Sequence, residues 1–461
     1  MLSLFDRRAG FGRREFLKIG GLSLGGLGLD QLLAAKSLAA ANPSLVTGKS
    51  VVFLFMQGGP SQFETFDPKM NAPAGVHSVT GEIDTAVPGL TFGSTFPKLA
   101  KLADRFTIVR SYAPGDATHD IKPIVSKDSA KTSLGAIYSR IAGTTHPRTG
   151  MPTNCALYPN AVEEACRTTT FNFGNFGDTG MLGAAYAPFV PGGGGDLQKN
   201  MRLNVDRSRL DNRRELLTQL DRIRRSVDAN GSLVGLDKFQ QQAFETILGG
   251  VADAFDLSKE DPRLVERYDT SRLVTPHEIS RVWKNYDNYV DHGKSLGKLM
   301  LLARRLCESG CGFVTVATNF VWDNHADVNN AGVEEGMQYC GLPFDHAVST
   351  FLEDIEARGL SDKILLVCCG EIGRTPRINA RGGRDHWGNL APLLLAGAGV
   401  SRGRVIGQST ADGGSALTEP VTPKHLISTI MHQAVDVGQV RLLRGIPIDV
   451  LRAITEYSPI V

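Results

Sequence analysis

The chain has 461 residues, 42% hydrophobic and 21% charged, a balance that supports a large globular core and excludes a disordered polymer. Its formal net charge of +2 is misleading: residues 1–41 hold six basic and three acidic groups, so the remainder carries 44 basic against 45 acidic residues, a net −1. No basic stripe of the kind that follows a phosphate backbone is present, which excludes a nucleic-acid-tracking protein.

The first 41 residues read as a secretory leader. Gly12-Arg13-Arg14-Glu15-Phe16-Leu17-Lys18 precedes a Gly- and Leu-rich apolar stretch over 19–33, and Ala39-Ala40-Ala41 offers a small-residue cleavage site before Asn42-Pro43. The paired arginines point to the twin-arginine export machinery, and so to a periplasmic or cell-surface protein. An amphipathic first helix is the alternative. No later segment approaches the ~18 apolar residues of a membrane span, so no integral membrane segment is expected in the mature chain. The seven cysteines, an odd number without repeated spacing, do not form a disulfide framework and read as core residues.

Beyond the leader one pattern recurs. The apolar run Ser50-Val51-Val52-Phe53-Leu54-Phe55-Met56 ends at Gln57-Gly58-Gly59-Pro60-Ser61. Arg105-Phe106-Thr107-Ile108-Val109 leads into a loop holding His119 and Asp120, and Gly312-Phe313-Val314-Thr315-Val316-Ala317 leads into Trp322-Asp323-Asn324-His325. Lys363-Ile364-Leu365-Leu366-Val367-Cys368-Cys369 ends at Gly370-Glu371-Ile372-Gly373-Arg374, closed ten residues later by Gly383-Arg384-Asp385-His386-Trp387. Unbroken apolar runs of this length are strands buried on both faces. Ala391-Pro392-Leu393-Leu394-Leu395-Ala396-Gly397 reads as another. Between them helices are predicted over 96–104, 208–225, 237–255, 295–307 and 345–359, and Thr422-Pro423 opens one more as N-cap and first helical residue. Gly192 to Gly195 read as a flexible loop, since no strand-to-helix pattern brackets them. The expectation is an α/β fold with a mostly parallel central sheet and helices on both faces: a single domain over 50–461 with a helix-rich insertion at about 200–310.

In such sheets ligands lie beyond the carboxyl ends of the strands. Asp323, His325, Glu371, Asp385 and His386 all fall there, and carboxylates with imidazoles are the donors of a divalent metal site, with zinc, manganese, calcium and magnesium all open. Each pair has a plainer reading: Asp385 tethered to Arg384 beside a stacked His386, and Asp323 with His325 capping a turn. Arg374 is a candidate for a bidentate grip on an anionic substrate, or one half of a surface ion pair with Glu371. Ser61 is a candidate nucleophile, with a turn or N-cap serine as the favoured alternative. His119 is a candidate ligand or acid/base group. No Gly-x-Ser-x-Gly elbow occurs, which argues against a serine esterase.

The twin-arginine leader, Gly58-Gly59-Pro60-Ser61 with Thr65-Phe66-Asp67-Pro68-Lys69, Ala303-Arg304-Arg305-Leu306, Trp322-Asp323-Asn324-His325, Glu371-Ile372-Gly373-Arg374-Thr375-Pro376 and Gly383-Arg384-Asp385-His386-Trp387 occur in one order. By them the chain resembles the bacterial proteins carrying domain of unknown function 1501, described as sulfatase-like and similar to the alkaline phosphatase and sulfatase superfamily. The resemblance implies one or two bound metals and hydrolysis of a sulfate or phosphate ester, with a sulfated or phosphorylated carbohydrate as a candidate substrate. Two departures accompany it. The cysteine-x-proline-x-arginine motif of sulfatases is missing, and Gln62 and Glu64 stand where relatives usually have histidine and aspartate. The alternative is a catalytically degenerate binding or assembly protein of the cell envelope.

Overall fold

The apolar runs gather into one sheet. The computed structural model describes residues 45–192 and 251–460. Its seven main strands are β1 (Ser50–Phe55), β2 (Phe106–Val109), β3 (Asn154–Leu157), β4 (Phe313–Ala317), β5 (Ile364–Cys369), β6 (Leu393–Gly397) and β7 (Arg404–Ile406). All but β3 and β7 coincide with predicted runs. The order across the sheet is β7-β2-β6-β5-β1-β4-β3. β1 is parallel to β4 and β5, β3 to β4 and β7 to β2, while β6 runs antiparallel to both β5 and β2. The loops leaving β1, β2, β4 and β5 therefore emerge at one edge, as the sequence pattern predicts.

Among the described residues five helices cover the sheet: α1 (Leu134–Ala142), α2 (Tyr286–Glu308), α3 (Val333–Ala357), α4 (Pro423–Ala434) and α5 (Ile448–Thr455). Successive strand residues point to opposite faces. Val52, Leu54, Val316, Leu366 and Cys368 pack with α2 and α3 on one side. Val51, Phe53, Phe55, Leu365, Val367 and Cys369 pack with α1, α4 and α5 on the other. Each fully buried Val, Leu or Phe contributes about 1.5–3 kcal/mol, so β1, buried from Val51 to Phe55, anchors the loops at its carboxyl end. The described cysteines are free and buried, as core residues should be.

The predicted helix over 96–104 is present as Pro97–Lys101 followed by a turn of 3-10 helix, and 345–359 is the second half of α3, which begins at Val333 and carries Pro343 inside it. The 295–307 prediction lies within α2, and Thr422 with Pro423 opens α4. The leader, the Gly193–Gly195 part of the glycine run and the predicted helices over 208–225 and 237–250 lie outside the described residues. Arg304, from the Ala303-Arg304-Arg305-Leu306 motif, is buried and joins α2 to α3 through Asp354 (2.9 Å), with Glu260 and Glu308 as further partners. That motif is architectural. No described helix is long and apolar enough to cross a membrane.

One core residue makes stability depend on acidity. His292 on α2 is fully buried, and desolvation pushes its imidazole down to about 4 despite a contact with the Cys340 carbonyl. In the unfolded chain it takes up a proton near 6.5. The folded state therefore loses up to about 3 kcal/mol relative to the unfolded state as pH falls from 6.5 through about 4. Thermal unfolding across that interval is expected to show this slope, and His292→Gln to flatten it; an unchanged slope in the variant rules out His292 as the cause.

Candidate metal centre

Two short connections set the site's walls. The ribbon Gly373–Arg374 pairs with His386–Trp387, so that Arg374 stands opposite His386 just past the end of β5. The loop after β1 is pressed against both neighbouring loops. Gly58 has φ +112°, and a Cβ there would lie 2.7 Å from the Asp323 backbone nitrogen; Gly59 has φ +84°, and a Cβ there would lie 2.3 Å from Ile372. Glycine is required at both positions by close approach and by backbone conformation.

Within these walls Asp323 is the hub. Its Oδ1 lies 3.5 Å from His119 Nε2, 3.1 Å from His325 Nε2, 3.3 Å from His386 Nε2 and 2.6 Å from Arg374 Nη2. Asn330 donates to Oδ2 at 3.2 Å. Burial opposes ionisation of this carboxyl, but the Arg374 guanidinium and the three imidazole bonds outweigh it and hold Asp323 far below the usual carboxylate range. The rings also touch: His119 and His386 centroids are 4.2 Å apart, and His325 and His386 are 4.6 Å apart.

Behind the imidazoles stand two more carboxylates. Glu371 Oε1 accepts from His119 Nδ1 at 2.7 Å and from the Gly58 backbone N–H at 2.9 Å. Asp385 Oδ1 lies 3.1 Å from His325 Nδ1. A carboxylate on the remote ring nitrogen fixes the tautomer and turns the other nitrogen toward a ligand. Desolvation pulls His119 down, yet its bonds to Asp323 and Glu371 leave it raised. His386 goes the other way: its bond to Asp323 raises it, but partial burial and the charges of Arg374 and His119 leave it lowered.

His119, Asp323 and His386 each offer one ligand atom, and these atoms lie within 4.8 Å of one another. Three protein donors with a fourth position open is the pattern of a catalytic zinc site. Two buried atoms support the fit: Glu371 Oε2 has no hydrogen-bond partner, and His119 Nε2 has only the long 3.5 Å approach to Asp323 Oδ1. Such groups are costly unless something completes them.

All eight residues singled out in the sequence can now be placed. His119, Asp323, His325, Glu371, Asp385, His386 and Arg374 come together; Ser61 does not join them. Ser61 Oγ donates to Glu64 and accepts from the Phe63 N–H at 3.2 Å, which is the turn-serine reading. Among the described residues no contact joins it to His119, Asp323 or His386. Glu371 and Asp385, expected as ligands, each meet an imidazole at Nδ1, a position from which a carboxylate orients the ring.

The expected grip of Arg374 on a substrate anion also needs correction. It is buried, and its Nε donates to the Gly59 carbonyl at 2.7 Å. Nη1 reaches the Arg384 carbonyl at 3.1 Å and His325 Nε2 at 3.3 Å, while Nη2 serves Gly58, Trp322 and Asp323. A guanidinium has five N–H donors; backbone carbonyls and Asp323 hold four of them, and the fifth faces His325 Nε2. Sequence reasoning missed Phe173 and Phe320, which pack on His119 at 4.9 and 5.0 Å between ring centroids. The one available signal was the position of Phe320, three residues before Asp323.

A family model described as "Protein of unknown function (DUF1501)" matches residues 48–440. No curated protein matches. Among solved structures the chain is similar to Ps i-CgsB in complex with k-i-k-neocarrahexaose (10% identity, 89% of this chain and 77% of that one, TM-score 0.35). It is also similar to the PsFucS1 sulfatase from Pseudoalteromonas sp. (10% identity, 88% and 71%, TM-score 0.36). The phosphonate monoester hydrolase SpPMH from Silicibacter pomeroyi is a further neighbour (12% identity, 84% and 73%, TM-score 0.28).

Proposed function

The chain belongs to the DUF1501 family of proteins of unknown function, and we propose that it is an exported, metal-dependent hydrolase of the alkaline phosphatase and sulfatase type, acting on a sulfate or phosphate ester. The observation that carries this reading is the convergence of three imidazole Nε2 atoms on Asp323 Oδ1 at the carboxyl edge of the sheet. His119, Asp323 and His386 would hold the ion, and a set with two imidazoles favours zinc over calcium or magnesium, which prefer oxygen ligands. When bound, a divalent ion of this kind supplies Lewis-acid polarisation of the ester and activation of water near neutral pH.

The protein's own groups do the rest. Glu371 and Asp385 orient His119 and His325 through Nδ1. Arg374 ties the loops after β1, β4 and β5 together, fixing Asp323. His325 stands beside the trio with Nε2 facing Asp323 and Arg374, and it is the group placed to move a proton between water and the leaving oxygen. Twin-arginine export and a single domain over 50–461 belong to the same proposal, with the insertion expected at about 200–310 ending before α2, whose residues Leu296 to Leu306 pack against the sheet. Sequencing of the protein recovered outside the cytoplasm, expected to begin near Asn42, checks the first; limited proteolysis that cuts within 200–285 and spares α2 checks the second.

A second reading has its own observation. Arg374 already compensates Asp323 at 2.6 Å, so the cluster is stable without an ion, as a non-catalytic binding or assembly protein of the envelope would need. Metal analysis of the mature protein with turnover of aryl phosphate and aryl sulfate separates the two. The hydrolase reading expects one or more equivalents of transition metal and turnover of at least one ester. It also expects Glu371→Gln to lower metal affinity or activity about 10–100-fold, the cost of losing a carboxylate behind a histidine ligand. Absence of both metal and turnover supports the binding protein.

A further inference from the structure

We propose that Phe173 and Phe320 form a stacking platform for a ring carried by the substrate next to its anionic group, so that the preferred ester is one in which the sulfate or phosphate sits directly on, or one carbon from, a ring with an apolar face. This rests on the ester-hydrolase reading and specifies its substrate. The two phenyl rings are stacked on each other, with centroids 5.1 Å apart and 27° between planes. Both also pack against the His119 imidazole. Neither is buried: each keeps part of its surface exposed, in a region where the other groups around Asp323 are charged or polar. A core pair would be covered, and exposed aromatic surface beside a polar site is what a ring-binding subsite requires.

The platform is also held in advance. The loop carrying Phe173 is pinned to the ends of β1 and β4, because Thr169 donates to Gln57 Oε1 at 2.5 Å and to the Thr318 carbonyl at 2.9 Å. Gln57 returns a bond to the Thr170 carbonyl at 3.0 Å. Preorganised apolar area lowers the entropy lost on binding, and so converts stacking into affinity.

The probes are phenylphosphonate and methylphosphonate, non-hydrolysable anions that differ by the ring, titrated calorimetrically into the metal-loaded full chain. The platform expects phenylphosphonate to bind about 2- to 12-fold tighter, the range of one aromatic contact. It expects Phe173→Ala and Phe320→Ala to erase that ratio and Phe173→Tyr to keep it. Taking the ratio cancels any general effect of the substitutions on His119 and the metal. A third probe, a pyranose bearing the same phosphonate, separates the two sources of a ring face: tighter binding than phenylphosphonate identifies a sugar, weaker binding an aryl group. Equal binding of phenyl and methyl probes to the wild type overturns the platform and leaves the ester reading standing. Failure of every phosphonate to bind a metal-loaded protein overturns both.

Discussion

Asp323→Ala is expected to remove stoichiometric metal and to lower ester turnover by about a thousandfold or more. One oxygen of this side chain receives three imidazoles and a guanidinium. No other carboxylate touches His386 among the described residues, so nothing can take over as the trio's anionic donor. Losing the ion forfeits several kcal/mol of transition-state charge stabilisation, which is a thousandfold at about 4 kcal/mol. The substitution also leaves Arg374 buried without its counter-charge, a cost of about 3–5 kcal/mol. A fall in activity could therefore report unfolding. His325→Ala separates the causes, because it keeps Asp323 paired with Arg374 and leaves the trio whole. That variant should retain metal while turnover drops by about 10²–10⁴, the usual contribution of an acid/base group. Loss of metal in His325→Ala would make His325 a ligand and displace the proton-transfer role assigned to it.

Five of the seven strands were legible as apolar runs, whereas β3, though wholly buried, is only four residues long and opens on Asn154. Val51 to Phe55 and Ile364 to Cys369 have no polar side to confuse the reading; the second stops at Gly370 and the first gives way to Gln57-Gly58-Gly59. Strand β7 was not legible: its residues are exposed or only partly buried at the sheet's margin, and Arg404 opens it. The site was readable as a set of residues, since acids and imidazoles recur where strands end, but their division of labour was not. Whether Glu371 faces a metal or the far side of His119 depends on a side-chain direction, and so does the saturation of Arg374 by the carbonyls of Gly58, Gly59, Trp322 and Arg384. Backbone carbonyls leave no mark in a sequence. Phe173 lies between distant motifs and shows its relation to His119 only after folding.

Glu64→Ala is expected to destabilise the fold by about 3–5 kcal/mol, and Arg384→Ala by a similar amount, without loss of metal affinity in the folded fraction. Both side chains are wholly buried and meet at 3.0 Å. Arg384 also donates to the Val76 and His77 carbonyls at 3.0 Å each, and lies over the Phe63 ring at 4.2 Å. Removing one partner strands the other charge in the interior, which is far more costly than the net worth of the pair. Gln62, the neighbouring position at which the resemblance leads one to expect histidine, is engaged elsewhere. Its Oε1 accepts from the Arg374 N–H at 3.0 Å and its Nε2 donates to the Arg374 carbonyl at 2.8 Å, so it clasps the ribbon that presents His386. Neither residue contacts His119, Asp323 or His386, so a histidine and an aspartate placed there should supply nothing to the trio. Gln62→His with Glu64→Asp is therefore expected to lower Tm by several degrees, since the shorter acid draws away from Arg384 and the imidazole cannot reproduce the two-bond clasp, while metal stoichiometry stays as in the wild type. An added metal equivalent in that double variant, with Tm unchanged, would return this loop to the chemistry and make Gln62 and Glu64 the lost half of a larger site.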